Sequence, residues 1–213
     1  MAKRQAAPAT VRELLDASAF GRAAKHATEK DANVSYFAID LDGLHALNQE
    51  VGRPAGDRFI SGATRAIARV AADEQWTAGR IGGDEFTVLL AGVTLEQAFL
   101  QAEKLRTTID EALAKAVPER RCTASIGVAN YPRDARNADE LAKKAGLALY
   151  AAKEQGGDAV SLTPGENMVL RSSYYPAPQL GRLRSLAERM KKKEAVLLRE
   201  ALDDLLRKYD RAS

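Results

Sequence analysis

Residues 80–90 read RIGGDEFTVLL, and this stretch places a sharp reversal between two short apolar runs. The runs 76–81 and 86–90 have the length and the residue types of β-strands. Gly82, Gly83 and Asp84 separate them, and glycine permits the positive φ angles that tight hairpin turns use. The stretch therefore predicts a β-hairpin that carries Asp84 and Glu85 at its turn.

The apolar pattern on both sides of this hairpin alternates between strand-like and helical periodicity. The predicted elements are a helix over 11–30, a strand over 34–41, a helix over 55–72, the hairpin, a helix over 94–115, a strand over 123–129, a helix over 138–155 and a strand over 159–162. From the first strand onward this order is β-α-β-β-α-β-α-β. It predicts an α+β fold with helices packed on one sheet and a central antiparallel hairpin, close to the ferredoxin-like arrangement of nucleotidyl cyclase and polymerase palm domains.

The composition is that of a globular protein, since 46% of the 213 residues are hydrophobic and 29% are charged. No run approaches the roughly 18 to 20 apolar residues of a membrane span. The opening MAKRQAAPAT lacks the apolar core of a secretion signal, and we interpret residues 1–10 as disordered. These features predict a cytoplasmic protein without a membrane partner.

Two acidic residues fall where the predicted elements end. Asp40 closes the first strand, and Asp84 lies on the hairpin turn, which a mixed sheet can bring beside that strand end. Carboxylates that meet in this way suit Mg²⁺, which takes phosphate oxygens and waters as further ligands. Gly82 and Gly83 leave room for a phosphate or a base near the backbone. Taken singly, acids at strand ends and glycine pairs are usually solvated edges and ordinary turns.

Four stretches together carry a family resemblance that none of them carries alone: IDLDGLHALNQEVGRPAGDRF at 39–59, RIGGDEFTVLL at 80–90, ASIGVANYP at 124–132 and ALYAAKEQGGD at 148–158. In order and spacing they resemble the diguanylate cyclase (GGDEF) family over about residues 34–162. The resemblance implies a cyclase that condenses two GTP molecules, one in each of two facing domains, to cyclic di-GMP with loss of two pyrophosphates. The domain with its N-terminal helix is predicted to span 11–163.

The resemblance also implies the residues that hold the metal and start the reaction. Asp40, Asp84 and the backbone carbonyl of Leu41 correspond to ligands of Mg²⁺ or Mn²⁺. Asp84 and its neighbour Glu85 are both candidates for the group that takes the proton of the attacking hydroxyl. The sequence leaves this choice open.

Further positions correspond to nucleotide contacts, with Gly82 and Gly83 beside the phosphates. Asn48 and Asp57 match the guanine-binding pair, and Lys153 matches a phosphate-binding lysine. Each has an alternative interpretation on its own, because Asp57 can complement a helix dipole, Asn48 can cap a turn and Lys153 can favour a helix C-terminus.

Several departures from the family pattern make nucleotide binding a firmer prediction than turnover. His45 stands where the family usually has a lysine, although it remains a candidate phosphate contact, and Gly157 with Asp158 replaces the usual arginine and asparagine. Loss of a charge-assisted contact costs about 1.5 to 3 kcal/mol. The inhibitory Arg-x-x-Asp motif, expected near Asp73, is absent, and so is the family's N-terminal motif. Feedback inhibition is therefore not expected.

Residues 164–213 differ in character from the rest, since 165–213 carry a net charge of +4 and the remainder −1. A short strand before Pro176 and two amphipathic helices resemble a ribbon-helix-helix unit, which is an obligate dimer that binds DNA with its paired strands. Ser172 and Tyr174 would face bases, and the lysines of 191–193 would hold phosphate. The alternative is a dimerising helical hairpin without DNA contact. If the tail binds DNA, the chain is a cyclase with double-stranded DNA as a further partner. Alternatively, it is a DNA-binding transcription regulator that senses GTP or cyclic di-GMP.

Overall fold

The computed structural model describes residues 14–163, 175–190, 194, 197–198, 201–202, 205 and 208–209. The chain divides into two compact units, residues 1–168 and 169–213. Residues 1–10 and the predicted strand before Pro176 lie outside the described residues. The domain assignments made from the sequence therefore stay predictions.

The first unit is built on a five-stranded mixed sheet. Its strands are β1 (Val34–Asp42), β2 (Thr77–Arg80), β3 (Glu85–Ala91), β4 (Thr123–Tyr131) and β5 (Val160–Leu162), in the spatial order β2-β3-β1-β4-β5. Strand β1 is antiparallel to both β3 and β4, whereas β4 and β5 are parallel. The predicted α+β class is confirmed, and the strands and helices follow the predicted order with one additional short helix after β1.

The helices of this unit cover both faces of the sheet. They are α1 (Ala17–Lys30), α2 (Leu44–Glu50), α3 (Arg53–Asp73), α4 (Leu95–Ala116) and α5 (Ala138–Glu154). Because side chains alternate along a strand, Phe37, Ile39 and Leu41 of β1 enter the core formed with α3 and α4. Val34 and Tyr36 face the opposite way and pack in the cluster that includes residues of α1 and α5. The sheet is therefore covered on both faces.

The sequence predicted a central hairpin. In the structure the β2–β3 hairpin lies at one edge of the sheet. Strand β1 takes the central place because both of its edges are paired, with β3 on one side and β4 on the other. Its apolar side chains are buried on both faces, which a central strand requires. The four-residue β2 has Arg80 exposed at its end and pairs in the sheet with β3.

The first helix begins later than its apolar pattern predicted. The side chain of Asp16 accepts a hydrogen bond from Ala19 N at 2.8 Å, which caps a helix that starts at Ala17. Leu15 is extended and forms a bridge with Gly79 instead. Thr94 and Gln97, three positions apart in the sequence, form a capping box with reciprocal hydrogen bonds at the start of α4.

The described part of the second unit begins with Tyr175 and Pro176 and continues as α6 (Ala177–Met190). Described residues between 194 and 209 are all helical, in agreement with a second helix there. Arg184 Nε lies 3.5 Å from Glu194 Oε1. Ser172, Tyr174 and Lys191, Lys192 and Lys193 lie outside the described residues. Of the helices described, none is long and apolar enough to cross a membrane.

Candidate functional site

The carboxyl end of β1 carries two acids on the face of the sheet that α5 covers. Asp40 lies directly opposite Glu85 of β3 and Ser125 of β4, so that the three residues occupy one row across the sheet. Asp42 follows two positions later and has the same orientation. Since Val34 and Tyr36 of the same series are core residues, the site begins where this apolar face ends.

Helix α5 brings a cation to these acids. The ammonium of Lys153, in its last turn, donates a hydrogen bond to Asp40 Oδ1 and lies 3.8 Å from Asp42 Oδ1. Burial raises the pKa of the Asp40 carboxyl, and the hydrogen bond and charge of Lys153 oppose this shift. The charges of Asp84 and Asp42 raise the pKa further, so the carboxylates are close enough to repel one another.

The close approach of α5 depends on Gly127 in β4. A Cβ atom there would overlap the backbone nitrogen of Leu149 and the backbone oxygen of Ala145. Glycine therefore lets the helix backbone rest directly on the strand. This contact sets the depth of α5 and with it the position of Lys153.

The hairpin turn is joined to the end of β1 through the backbone. Leu41 N donates to Asp84 O at 3.3 Å. Arg80, which the sequence did not single out, donates to the carbonyls of Gly82 at 3.1 Å and Gly83 at 2.6 Å. Its guanidinium lies 5.8 Å from the centroid of the Phe86 ring. The Arg80 guanidinium, packed near the buried Phe86 ring, thus stabilises the turn that carries Asp84.

Neither glycine of the turn has a positive φ angle, so the predicted conformational reason for the pair was wrong. The reason is space. A Cβ at Gly82 would come within 2.9 Å of Glu85 Oε2, whereas a Cβ at Gly83 would meet nothing within 4 Å. Gly82 makes room for the exposed Glu85 side chain, and the backbone of Gly83 is open to a ligand.

Oxygen donors at this site match a hard divalent cation. Asp40 and Asp84 are partly exposed carboxylates near one another, and the ammonium of Lys153 already compensates the charge of Asp40. Within the described residues, no group of three or more His, Cys, Asp or Glu side chains forms a metal cage. A cation bound by two carboxylates completes its shell with carbonyl, water and phosphate oxygens, which is how Mg²⁺ commonly binds.

A second group of predicted residues lies where α2 meets α3. The Oδ1 atom of Asn48 is buried without a hydrogen-bond partner and packs so tightly on Gly56 that a Cβ there would overlap it. Asp57, the next residue, is exposed. Helix α2 was not predicted, and it brings the unpaired Asn48 amide beside the start of α3. An unpaired buried polar atom next to an exposed carboxylate is typical of a polar ligand site.

The structure does not connect every predicted residue. Within residues 14–163, neither His45 nor Asp57 makes a side-chain hydrogen bond or ion pair, and both side chains are exposed.

Asp42, which was not among the predicted site residues, accepts more hydrogen bonds than the predicted ligands. It receives them from Thr123 Oγ1 at 2.9 Å, Ser125 Oγ at 2.9 Å and Asp158 N at 3.1 Å. These bonds tie the loop after α5 to the ends of β1 and β4. The signal was present in the sequence as the second acid of an Asp-Leu-Asp run on the same strand face.

Asp158 continues this network outward. Its carboxylate pairs with Arg106 of α4 and with Arg121 Nη2 at 2.7 Å. Arg106 also pairs with Asp110 at 2.9 Å. Burial raises the pKa of Asp110 to about 6, against the attraction of Arg106 and with a further increase from Asp158.

A model of the family described as "Diguanylate cyclase, GGDEF domain" matches residues 12–159. Among curated proteins, the chain is 38% identical over 136 residues to the "Bifunctional diguanylate cyclase/cyclic di-GMP phosphodiesterase MucR" of Pseudomonas aeruginosa, covering 63% of this chain and 20% of that protein. It is 31% identical over 136 residues to "Diguanylate cyclase A" of Treponema denticola, covering 63% of this chain and 36% of the relative. The chain thus spans between a fifth and about a third of the length of these relatives.

Solved structures support the same fold. A sensory box/GGDEF family protein of Caulobacter crescentus superimposes with a TM-score of 0.57 at 32% identity, covering 67% of this chain and 95% of that one. The GGDEF domain of DgcB from the same organism, in complex with c-di-GMP, gives a TM-score of 0.63 at 22% identity, covering 78% of this chain and 97% of that one.

Proposed function

The chain belongs to the GGDEF diguanylate cyclase domain family, and from this premise we propose that it condenses two GTP molecules to cyclic di-GMP and two pyrophosphates. The observation that carries the proposal is the meeting of Asp40, Asp84 and Lys153 at the end of β1. It combines carboxylates for a metal ion with a cation for phosphate, and both are needed for phosphoryl transfer from a nucleoside triphosphate.

The proposed metal ligands are Asp40, Asp84 and the carbonyl of Leu41, and the metal is Mg²⁺ or Mn²⁺. When bound, the metal supplies positive charge to the triphosphate and polarises the α-phosphate. Lys153, whose ammonium donates a hydrogen bond to Asp40, is assigned to the phosphate oxygens of GTP. The backbone of Gly83 is open, and Gly82 has no side chain, so both leave space for the triphosphate.

Guanine is assigned to Asn48 and Asp57. The carboxylate of Asp57 accepts hydrogen bonds from the N–H groups of guanine, and the amide of Asn48 pairs with the remaining polar edge. Support comes from the unpaired Oδ1 of Asn48, which lies beside the start of α3 and lacks a partner within the described chain. His45, exposed on α2, is assigned to the phosphate side of the same nucleotide.

In the reaction the 3′-oxygen of one GTP attacks the α-phosphorus of the other, and the bond from that phosphorus to the pyrophosphate oxygen breaks. Asp84 or Glu85 accepts the hydroxyl proton. The charge of Asp84 acts on the Asp40 carboxyl, whereas Glu85 is more exposed and lies over Gly82. The two attacks require two copies of the domain face to face, so the active species is a homodimer.

The basic second unit is proposed to be a ribbon-helix-helix domain that dimerises the chain and binds double-stranded DNA. Ser172 and Tyr174 are assigned to base contacts and Lys191, Lys192 and Lys193 to phosphate. Support comes from the net charge of this segment and from its two helical stretches. Dimerisation here would raise the effective concentration of the paired cyclase domains.

The departures at His45 and Gly157 favour a second candidate function. In this alternative, the chain is a DNA-binding regulator that binds GTP or cyclic di-GMP as a signal and does not turn GTP over. Dimerisation and DNA binding are common to both candidates.

One assay separates the two. Purified dimeric chain is incubated with GTP and Mg²⁺, and the products are separated by chromatography, with Asp84→Ala as the control. Cyclic di-GMP from the wild type alone supports the cyclase. Binding of GTP without product would support the signal-binding alternative. For DNA, a mobility shift that weakens with added salt and is lost when the three lysines of 191–193 become alanine is expected.

A further inference from the structure

Two consecutive arginines precede β4 at the end of the sheet that carries the candidate site. Arg120 and Arg121 stand just before Thr123, whose hydroxyl donates to Asp42. Arg120 lies at a bend and Arg121 in the segment that leads into β4, and the two guanidinium groups contact different partners. The pair therefore reaches two separate parts of the site's rim, and neither arginine was singled out by the sequence.

Arg120 lies at the connection between β1 and α2. Its Nη2 atom is 3.9 Å from the place that a Cβ at Gly43 would occupy. Its Nη1 atom lies 3.0 Å from Glu50 Oε2, but this buried nitrogen has no hydrogen bond of acceptable geometry. The ion pair therefore provides charge compensation only. The guanidinium has five N–H groups, so donors remain for an anion near Gly43.

Arg121 lies on the other side, against the loop after α5. Its Nη2 atom donates to Asp158 Oδ2 at 2.7 Å, and 83% of its side chain is exposed. An exposed ion pair of this kind is weak. Asp158 does not depend on it, because the less exposed Arg106 holds the other carboxylate oxygen. Arg121 can therefore exchange Asp158 for a stronger anion without leaving a carboxylate unpaired.

The loop itself leaves little room for a cationic side chain at 157. Gly157 has a φ of +74°, which side chains rarely adopt. A Cβ there would lie 3.2 Å from the carboxyl atoms of Asp42. A positive group near this point must therefore come from another segment, and Arg121 is the more exposed of the two guanidiniums that contact the neighbouring Asp158.

We propose that Arg120 and Arg121 bind the β- and γ-phosphates of GTP and supply the positive charge that His45 and Gly157 do not. This inference rests on the proposed function, since it assigns further residues to the same nucleotide. In it, Lys153 and Arg121 approach the phosphates from the α5 side and Arg120 from the α2 side. Bidentate guanidinium contacts of this kind are strong and geometrically specific.

The test measures binding by the full chain to two probes in the presence of Mg²⁺. One is 3′-deoxyguanosine triphosphate, which lacks the attacking hydroxyl, and the other is guanosine monophosphate. Arg120→Ala and Arg121→Ala are each expected to weaken triphosphate binding about tenfold or more, as loss of a charge-assisted hydrogen bond does, and to leave monophosphate binding unchanged. Arg121→Lys should restore part of the affinity.

Arg133→Ala is the matched control, because Arg133 follows the opposite end of the same strand and its side-chain exposure of 48% lies between the 31% of Arg120 and the 83% of Arg121. The thermal unfolding midpoint of each variant is measured alongside. Equal losses for both probes, or no loss for either, would overturn the inference while wild-type triphosphate binding keeps the proposed function intact. Absence of triphosphate binding by the wild type would instead overturn the proposed function and this inference with it.

Discussion

The ammonium of Lys153 donates a hydrogen bond to the carboxylate of Asp40, although 113 positions separate the two residues in the sequence. The contact joins the last turn of α5 to the end of β1. It exists because both segments end at the same edge of the sheet, where the apolar face gives way to acids.

Asp84→Asn is expected to lower the rate of cyclic di-GMP formation at least about a hundredfold, because a proposed metal ligand and candidate base is lost. The fold should be retained, since Asp84 is joined to β1 through its backbone carbonyl. The rate is measured by chromatography with the exposed Asp73→Asn as control. An unchanged rate in Asp84→Asn would remove this carboxylate from the mechanism.

Lys153→Met is expected to weaken GTP binding about tenfold or more, since the ammonium no longer reaches phosphate. Lys143→Met is the control, because Lys143 is an exposed residue of the same helix. Titration calorimetry with the full chain measures both. Similar affinities for the two variants would argue that Lys153 serves only to neutralise Asp40.

Asp57→Ala is expected to reduce the preference for GTP over ATP about ten- to a hundredfold, because the carboxylate that accepts the guanine N–H groups is lost. The measurement is competitive binding of the two nucleotides, with the exposed Asp139→Ala as control. A preference that survives in Asp57→Ala would move guanine recognition to other residues.

Gly127→Ala is expected to destabilise the chain by about 1 to 3 kcal/mol, because its Cβ would press α5 away from β4. Lys153 should move with the helix, so activity should also fall. Gly146→Ala, within α5, meets nothing within 4 Å and should stabilise by about 0.5 to 1 kcal/mol. Chemical denaturation of both variants measures the difference, and equal midpoints would contradict the close packing at Gly127.

The stability of the chain should depend on pH through Asp110, whose pKa burial raises to about 6. The folded chain holds this proton more tightly than the unfolded chain, so the contribution is present below about pH 4 and is lost as the pH rises through 6. Its size is at most about 3 kcal/mol. Asp110→Asn should lack this pH-dependent loss of stability. Arg106 and Asp158 are the charged side chains that face Asp110.

Urea denaturation between pH 4 and pH 7 tests this dependence, with Asp139→Asn as the control because its side chain is 74% exposed. If wild type and Asp110→Asn lose stability in parallel over this range, another group carries the proton.

Local patterns were sufficient for most elements. The capping box at Thr94 and the apolar runs at β1 and β4 are properties of short segments, and the structure confirms them. Helix α2 escaped prediction because its seven residues are too few for a clear periodicity. The start of α1 was misplaced because the apolar Leu15 pairs with Gly79, a contact that spans two distant segments.

By itself, the sequence determined the order of the elements, the family and the position of Asp84 on a hairpin turn, since each of these depends on residues that are neighbours along the chain. The tertiary structure decided which groups meet. It brought Lys153 into contact with Asp40, and Arg121 into contact with Asp158. It also placed Arg80 within hydrogen-bond distance of the hairpin turn. Such contacts depend on strand order and on the depth of α5 over Gly127, and both follow from packing across the whole sheet.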